Sequence, residues 1–422
     1  MARANRGIAG PPSHRRHDPR HTDPPGTPAI PGHGSGVSAS PEPAHPHHPS
    51  PPVGTVGAEI PHLVDGVAVT WSKPFMPNHG DATLPAHWGP PYLLYLGNPV
   101  DDLAIKTARG VAWWRPEWCV GQYRHPDCRL TLGLPDIGMA EAKVRGANTM
   151  MIGTANAGGV MAPEIVADAI AALDAGLNVV AGLHQKLRAN ADIVAAARRN
   201  GRVLFDARDP APGIPVGTGR PRAGRRLLTV GTDCSVGKMY TTLALERAMR
   251  QRGCAADFRA TGQTGIFVAG AGVPVDAVVA DFISGAVEWI SPARSDDGWD
   301  LIEGQGSLFH PSYAGVSLGL LHGAQPDALV LCHEPTRRHM RGLPDYPLPE
   351  LQHCLEANLA AARLTNPAVQ PVGVALNTSG MSGPEALAAC RQISDLLQLP
   401  CQDPVSMGVE SIVDNLLACF AN

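Results

Sequence analysis

The sequence predicts an α/β protein made of two three-layer units, each a parallel sheet covered by helices, behind a low-complexity N-terminal tail. Three observations predict it. Between Tyr92 and Pro210, short apolar runs alternate with helical patterns. Residues 209–226 are rich in Pro, Gly and Arg, the composition of a connection. From Leu227 the alternation resumes, and its first strand runs into a glycine loop, a lysine and a helix. The expected boundaries are 1–58 for the tail, 59–210 for the first unit, 211–226 for the linker and 227–422 for the second unit.

Up to about Pro52, Pro, His, Gly and Ser dominate, with hardly any large apolar residue. Such a segment cannot bury enough surface to offset its ordering entropy. His45, His47 and His48 have metal-ligand chemistry, but a solvated tail is the simpler expectation. In the first unit, strands are expected over 92–96, 149–152, 178–181 and 203–205. Helices are expected over 163–175, opened by Pro163, and over 190–200. In the second, strands are expected over 227–230, 256–258, 300–302, 328–332 and 372–376. A helix over 237–252 stops at Gly253.

A length of 422 residues suits two domains at roughly 100–200 residues each. The net charge is −4, with no Lys/Arg stripe interleaved with aromatics, so nucleic acid is not an expected partner. Nine cysteines without a C-x-x-C suit free thiols in a reducing, cytoplasmic setting. No apolar run reaches the roughly 18 residues of a spanning helix, and the N-terminus lacks the apolar region of a secretory signal. The expected partners are a small molecule and further copies of the chain.

The strongest chemical signal is Gly231-Thr232-Asp233-Cys234-Ser235-Val236-Gly237-Lys238. Between a strand and a helix, this loop gathers backbone N–H groups and a helix N-terminus on an anion, and Lys238 adds a point charge. Relative to the usual G-x-x-x-x-G-K-[S/T] spacing, Gly231 lies one residue further out. Met239 also replaces the hydroxyl that would ligate Mg²⁺. Thr241 and Thr242 sit further round the helix. The spacing resembles the loop of dethiobiotin synthetase and its relatives. As in them, an acidic residue, Glu303, ends a later strand before glycines. Its carboxylate suits Mg²⁺ at the ligand crevice of a parallel sheet; alternatively it is a solvated strand-end residue. In the synthetase group an Asn near the position of Asn377 reads the nucleobase edge, a job suited to an amide. Taken alone, Asn377 is turn chemistry.

Four segments follow one another in a distinctive order. They are the Lys238 loop, Phe258-Arg259-Ala260-Thr261-Gly262-Gln263-Thr264-Gly265, Asp276-Ala277-Val278-Val279-Ala280-Asp281-Phe282, and Glu303-Gly304-Gln305-Gly306-Ser307-Leu308-Phe309-His310-Pro311. From about Tyr92 onward the chain resembles the D-glutamate N-acetyltransferase family, long a domain of unknown function. That family joins a Rossmann-like N-terminal domain to a P-loop NTPase-like domain. Tyr240 departs from it, since Thr is expected there in many relatives.

The resemblance implies transfer of an acetyl group from acetyl-CoA to the amino group of D-glutamate or a similar acidic D-amino acid, in D-amino-acid catabolism. Under it, Gly231 to Met239 and Asn377 hold the co-substrate. Lys238, Glu303 and His310 serve catalysis, with His310 as base. Arg259 clamps a carboxylate, or else pairs with a structural acid. Gln263 and Thr264 donate to an oxyanion or an amide. Glu303 and Asp281 are metal candidates, with ATP and Mg²⁺ as alternative ligands. Asp233 and Asp281 otherwise cap helices. Cys234 is either an activated thiol or a small loop residue. Gly153 to Gly159 is a second strand-to-helix turn, with Asn156, His184 and Gln185 as secondary candidates. Two other functions remain open: an ATP/Mg-dependent ligase or kinase of the dethiobiotin-synthetase type, and a nucleotide-binding regulator without chemistry. Arg250 to Ala255 matches the acetyltransferase spacing [Q/R]-x-x-G-x-[G/A], but it closes a helix rather than opening one.

Overall fold

Apolar strands alternating with helices give two wholly parallel sheets, the arrangement that buries strands on both faces. The computed structural model describes residues 62–64, 67–69, 88–99, 102–154 and 161–421. The tail expected over 1–58, with His45, His47 and His48, lies outside the described residues, as do Asn156 and most of the Gly153–Gly159 turn. The chain divides into two units, Met1–Thr70 and Trp71–Asn422. In the first, β1 (His62–Val64) and β2 (Val67–Val69) pair antiparallel. The sheets described next belong to the second.

The first sheet runs in the order β4-β3-β5-β6-β7. Its strands are β3 (Tyr92–Gly97), β4 (Cys119–Arg124), β5 (Thr149–Ile152), β6 (Asn178–Ala181) and β7 (Leu204–Asp206). Its helices are α1 (Lys106–Trp114), α2 (Met139–Val144), α3 (Pro163–Asp174) and α4 (Ala191–Asn200). Every residue of β3, β5 and β6 is buried, which is why these strands read as unbroken apolar runs. Local chemistry sets the ends of α4: the Asn190 side chain accepts from the N–H of Asp192 and Ile193, and Gly201 closes the helix at φ 59°.

The second sheet runs β13-β12-β11-β8-β10-β9. Its strands are β8 (Arg225–Gly231), β9 (Ala256–Arg259), β10 (Trp299–Ile302), β11 (Ala328–His333), β12 (Gln370–Leu376) and β13 (Cys401–Gln402). Around it lie α5 (Lys238–Gln251), α6 (Gln263–Ala269), α7 (Ile283–Ile290), α8 (Ala314–Ala324), α9 (Leu351–Arg363), α10 (Gly383–Leu397) and α11 (Glu410–Cys419). From β8 the chain goes to one side of the sheet, and from β10 it crosses to the other. β8 and β11 therefore flank a topological switch point, where such sheets form their ligand crevice.

All nine strands expected from sequence in this unit are present. The expectation missed β4, a partly exposed edge strand of mixed polarity, and the two-residue β13. The Pro/Gly/Arg segment after the first sheet is docked on the second. The N–H groups of Thr218 and Gly219 donate to Glu288 of α7, and Arg222 donates to the last carbonyls of α8.

The two sheets share one apolar core. Ala108, Val111 and Trp114 of α1 belong to the same buried cluster as Val236, Leu243, Ile266 and Phe267. Trp88 joins it, stacked on Phe205 at 4.2 Å and edge-on to Phe267 at 5.8 Å. The nine cysteines are free thiols. Among the described residues, no helix is long and apolar enough to cross a membrane.

Candidate functional site

The C-terminal ends of nearly all the strands open on one cavity of about 1990 Å³. Gly97, His125, Thr154, Gly182 and Arg208 line it from the first sheet, and Cys234, Gly262, Glu303, Asn377 and Asp403 from the second. An ordinary small-molecule site holds ~300–1,000 Å³, so this space suits two ligands or one long one.

The phosphate cradle forms one wall. Ser235 has φ 55° and Gly237 φ 101°, and this irregular backbone turns successive N–H groups the same way. The N–H groups of Ser235, Val236 and Gly237 meet no acceptor among the described residues. The first N–H groups of α5 follow them, free as at any helix start. The loop is held from behind. Asp233 is fully buried; it accepts from Arg337 Nη1 at 2.8 Å, from the Arg341 N–H at 2.7 Å and from the Cys234 N–H at 2.6 Å. Arg341 also bonds the Ser235 hydroxyl. Lys238 is buried and donates to the carbonyls of Asp233 (2.7 Å) and Gly306 (2.8 Å), and burial lowers its pKa. An ammonium has three donors, so one remains for a ligand.

Glu303 stands beside the cradle, 4% exposed. Its Oε2 accepts from the N–H of Thr261 (3.1 Å) and Gly262 (3.2 Å), and its Oε1 from Gln305 Nε2 (3.1 Å). Burial pushes the carboxyl up to about 7, against the pull of those N–H groups and of Lys238. Asn377 lines the same side; its Oδ1 accepts from the Ser379 N–H.

The cavity lining also includes groups the sequence did not single out, contributed by the elements of the first sheet. The ammonium of Lys106, at the start of α1, has no hydrogen bond or ion pair among the described residues. Burial lowers its pKa, and the neighbouring positive charges of Arg341 and Arg208 lower it further. Arg109, one turn on, lines the cavity as well, while Arg208 pairs with Asp276. His125 lines the cavity too, and its Nε2 lies 2.7 Å from Asp168 Oδ2. Asp168 also accepts from the hydroxyls of Tyr95 (2.8 Å) and Tyr123 (3.5 Å).

The candidates named from sequence divide. Gly237, Lys238, Met239, Cys234, Glu303, Gln263, Thr264 and Asn377 all line the cavity. Thr232 lies beneath it, with its hydroxyl 3.0 Å from His333 Nδ1. Gly231 ends β8. Thr264 reaches across to α1, its hydroxyl donating to that of Thr107 at 3.2 Å. His184 lines the cavity, whereas Gln185 is engaged with the Met161 N–H. Burial pushes the Cys234 thiol up, against the pull of Lys238, Arg341 and Arg337.

Gly231, Thr232, Asp233 and Gln185 are outside the lining, and so are Arg259, Asp281 and His310. Arg259 is committed to a structural acid: its Nε and Nη2 donate to buried Asp300 at 2.9 and 2.7 Å. Asp281 is exposed on a single 3-10 turn. His310 is buried behind the loop; its Nδ1 accepts from the Ser312 N–H at 3.1 Å and its Nε2 faces the Arg341 carbonyl. With Nδ1 so used, the neutral ring carries its proton on Nε2 and has no lone pair left for a substrate.

Around Lys238, the described residues do not assemble a magnesium site of the nucleotide-hydrolysing kind. Thr241 and Thr242 turn their hydroxyls back to the carbonyls of Gly237 and Lys238, and three donors already occupy the Glu303 carboxylate. Asp233, Cys234 and His310 cluster within 4.8 Å. There, however, Arg337 and two N–H groups saturate the Asp233 carboxylate.

Two family descriptions match the chain. "Domain of unknown function (DUF1611_N) Rossmann-like domain" covers residues 123–210, and "Domain of unknown function (DUF1611_C) P-loop domain" covers residues 215–413. A protein of Pseudoalteromonas sp. named D-glutamate N-acetyltransferase is 49% identical over 327 residues, 78% of this chain and 98% of that protein. One of the same name from Tritonibacter scottomollicae is 49% identical over 328 residues, with the same coverage. The crystal structure of a DUF1611 family protein from Anabaena variabilis superposes with a TM-score of 0.71 at 31% identity, over 78% of this chain and 99% of that one.

Proposed function

The chain belongs to the DUF1611 family, and from that membership and the shape of its cavity we propose that it is an N-acetyltransferase acting on D-glutamate or a similar acidic D-amino acid, with acetyl-CoA as donor. One observation carries the reading on the structural side. A single cavity is lined both by a phosphate cradle and by the Lys106 ammonium, which has no hydrogen bond or ion pair among the described residues.

The assignment divides the cavity between the two substrates. The pyrophosphate of CoA lies on the N–H groups of Ser235 to Lys238 and accepts a hydrogen bond from the third N–H of the Lys238 ammonium. Asn377 has its oxygen engaged and keeps its NH₂ for the adenine edge. The pantetheine arm then crosses toward the Rossmann-like wall. There Lys106, beside Arg208 and Arg341, meets the carboxylates of the acceptor. Gln263, at the start of α6 between the walls, offers its amide to the oxygen of the thioester as charge develops on it. Glu303 acts as a brace, fixing through Thr261 and Gly262 the turn from which Gln263 and Thr264 project.

The residues around Lys238 favour this reading over an ATP-dependent ligase, because they do not assemble a magnesium site. The test is release of free thiol from acetyl-CoA with D-glutamate, L-glutamate or D-alanine as acceptor. Release with D-glutamate, far weaker with the other two, is the expected result. ADP formation from ATP and no thiol release with any acceptor would overturn it.

A further inference from the structure

We propose that His125, held by Asp168, is the general base that takes the proton from the ammonium of the acceptor. The inference rests on the acetyltransferase reading and adds the residue that this reaction requires.

The geometry defines which nitrogen is basic. A carboxylate only accepts hydrogen bonds, so at 2.7 Å from Asp168 the His125 Nε2 carries the ring proton. Nδ1 then holds the lone pair, and among the described residues it has no partner. Asp168 is itself fixed by the hydroxyls of Tyr95 and Tyr123. The ring is fixed by its backbone, since the His125 N–H donates to the Gly97 carbonyl at 2.9 Å. His125 and Tyr95 line the cavity, as does Glu164, one turn before Asp168 on α3. The titratable groups facing the imidazole are thus Asp168 and Glu164 from α3, Tyr95 from β3 and Tyr123 from β4. An oriented His with one nitrogen on an acid and the other open to the substrate is a general-base arrangement.

Other bases fit less well. Glu303 adjoins the cradle, so with the pyrophosphate at Lys238 the pantetheine arm carries the thioester away from it. His310 has no free lone pair. His333 is pushed down to about 4 by burial and by Arg337, and its Nδ1 is engaged with Thr232.

The ammonium gives one proton to Nδ1 and becomes an amine. Its nitrogen forms a bond to the acetyl carbonyl carbon, and the C–S bond breaks with its electron pair staying on sulfur. The CoA thiolate takes the second nitrogen proton, and the imidazolium, paired with Asp168, returns its proton to water.

The experiment compares wild type with His125→Gln, whose amide nitrogen can keep the bond to Asp168. Expected is a kcat loss of about 10²- to 10⁴-fold with the KM for acetyl-CoA unchanged. The remaining rate should keep climbing with pH, as free amine accumulates, where the wild type levels off. Asp168→Asn, a positioning change, should give a smaller loss with an altered pH profile. On the wild-type protein itself, carbethoxylation of His125 should be slowed by D-glutamate and CoA together. An active wild type with an equally active His125→Gln, or with no protection of His125, overturns this assignment alone. A wild type that releases no thiol overturns the acetyltransferase reading with it.

Discussion

Lys238 Nζ lies 2.8 Å from the carbonyl oxygen of Gly306, so the lysine of the cradle is tied to the glycine turn that follows β10. The cradle and the Glu303 turn therefore form one unit, and ligand binding at Lys238 is felt at both. Replacing this lysine by Met should raise the KM for acetyl-CoA by about 10- to 100-fold, the worth of a hydrogen bond to a charged group. The KM for D-glutamate should change little. Steady-state kinetics with each substrate varied in turn checks this.

Glu303 makes stability depend on pH. Its carboxyl titrates near 4.5 in the unfolded chain and is pushed up to about 7 in the fold. Between those values the folded protein binds more protons than the unfolded one, so stability falls as pH rises and levels off above about 7. The full effect is on the order of 3 kcal/mol at 1.36 kcal/mol per unit. Urea titrations at pH 5 and pH 8 should show this loss in wild type and not in Glu303→Gln.

Lys106 should behave as a recognition residue. Lys106→Met removes a cation that burial and the nearby Arg341 and Arg208 disfavour and that makes no hydrogen bond or ion pair among the described residues. The variant should therefore melt at the same temperature or higher. Its KM for D-glutamate should rise about 10- to 100-fold while that for acetyl-CoA stays close to wild type. A lower melting temperature with unchanged KM would assign the lysine to the scaffold instead.

Gly304 is fixed by contact. A Cβ there would meet the Thr229 carbonyl oxygen at 1.7 Å and Lys238 Cδ at 2.9 Å. The first is backbone of the central strand and cannot move aside. Gly304→Ala should cost about 1–3 kcal/mol or more in urea unfolding and reduce thiol release, since the Lys238 stem shifts with it.

The sequence disclosed one wall of the site and hid the other. Gly237, Lys238 and Glu303 were readable because a loop that approaches an anion, and a strand that ends at a crevice, dictate residue types at fixed offsets. The opposite wall has no such signature. His125 follows β4, whose Cys-Val-Gly-Gln-Tyr-Arg pattern shows neither alternation nor a continuous apolar run, so the strand and the residue at its end both passed as loop. Its partner Asp168 lies on a helix whose polar positions look like a solvated face. Lys106 and Arg109 sit on nine residues of α1, too short for a clear period. Arg259 misled for a related reason. Its acid, Asp300, comes from another strand, and the partnership exists only once β9 and β10 lie side by side.

The central claim is that the loop around Lys238 holds the phosphates of CoA while the thioester end reaches the Rossmann-like wall. A crystal structure of the protein with CoA and D-glutamate tests it most directly. The account predicts the pyrophosphate within hydrogen-bond distance of the Ser235 to Lys238 N–H groups, and an acceptor carboxylate on Lys106. CoA bound with its phosphates elsewhere and no contact to this loop would contradict it.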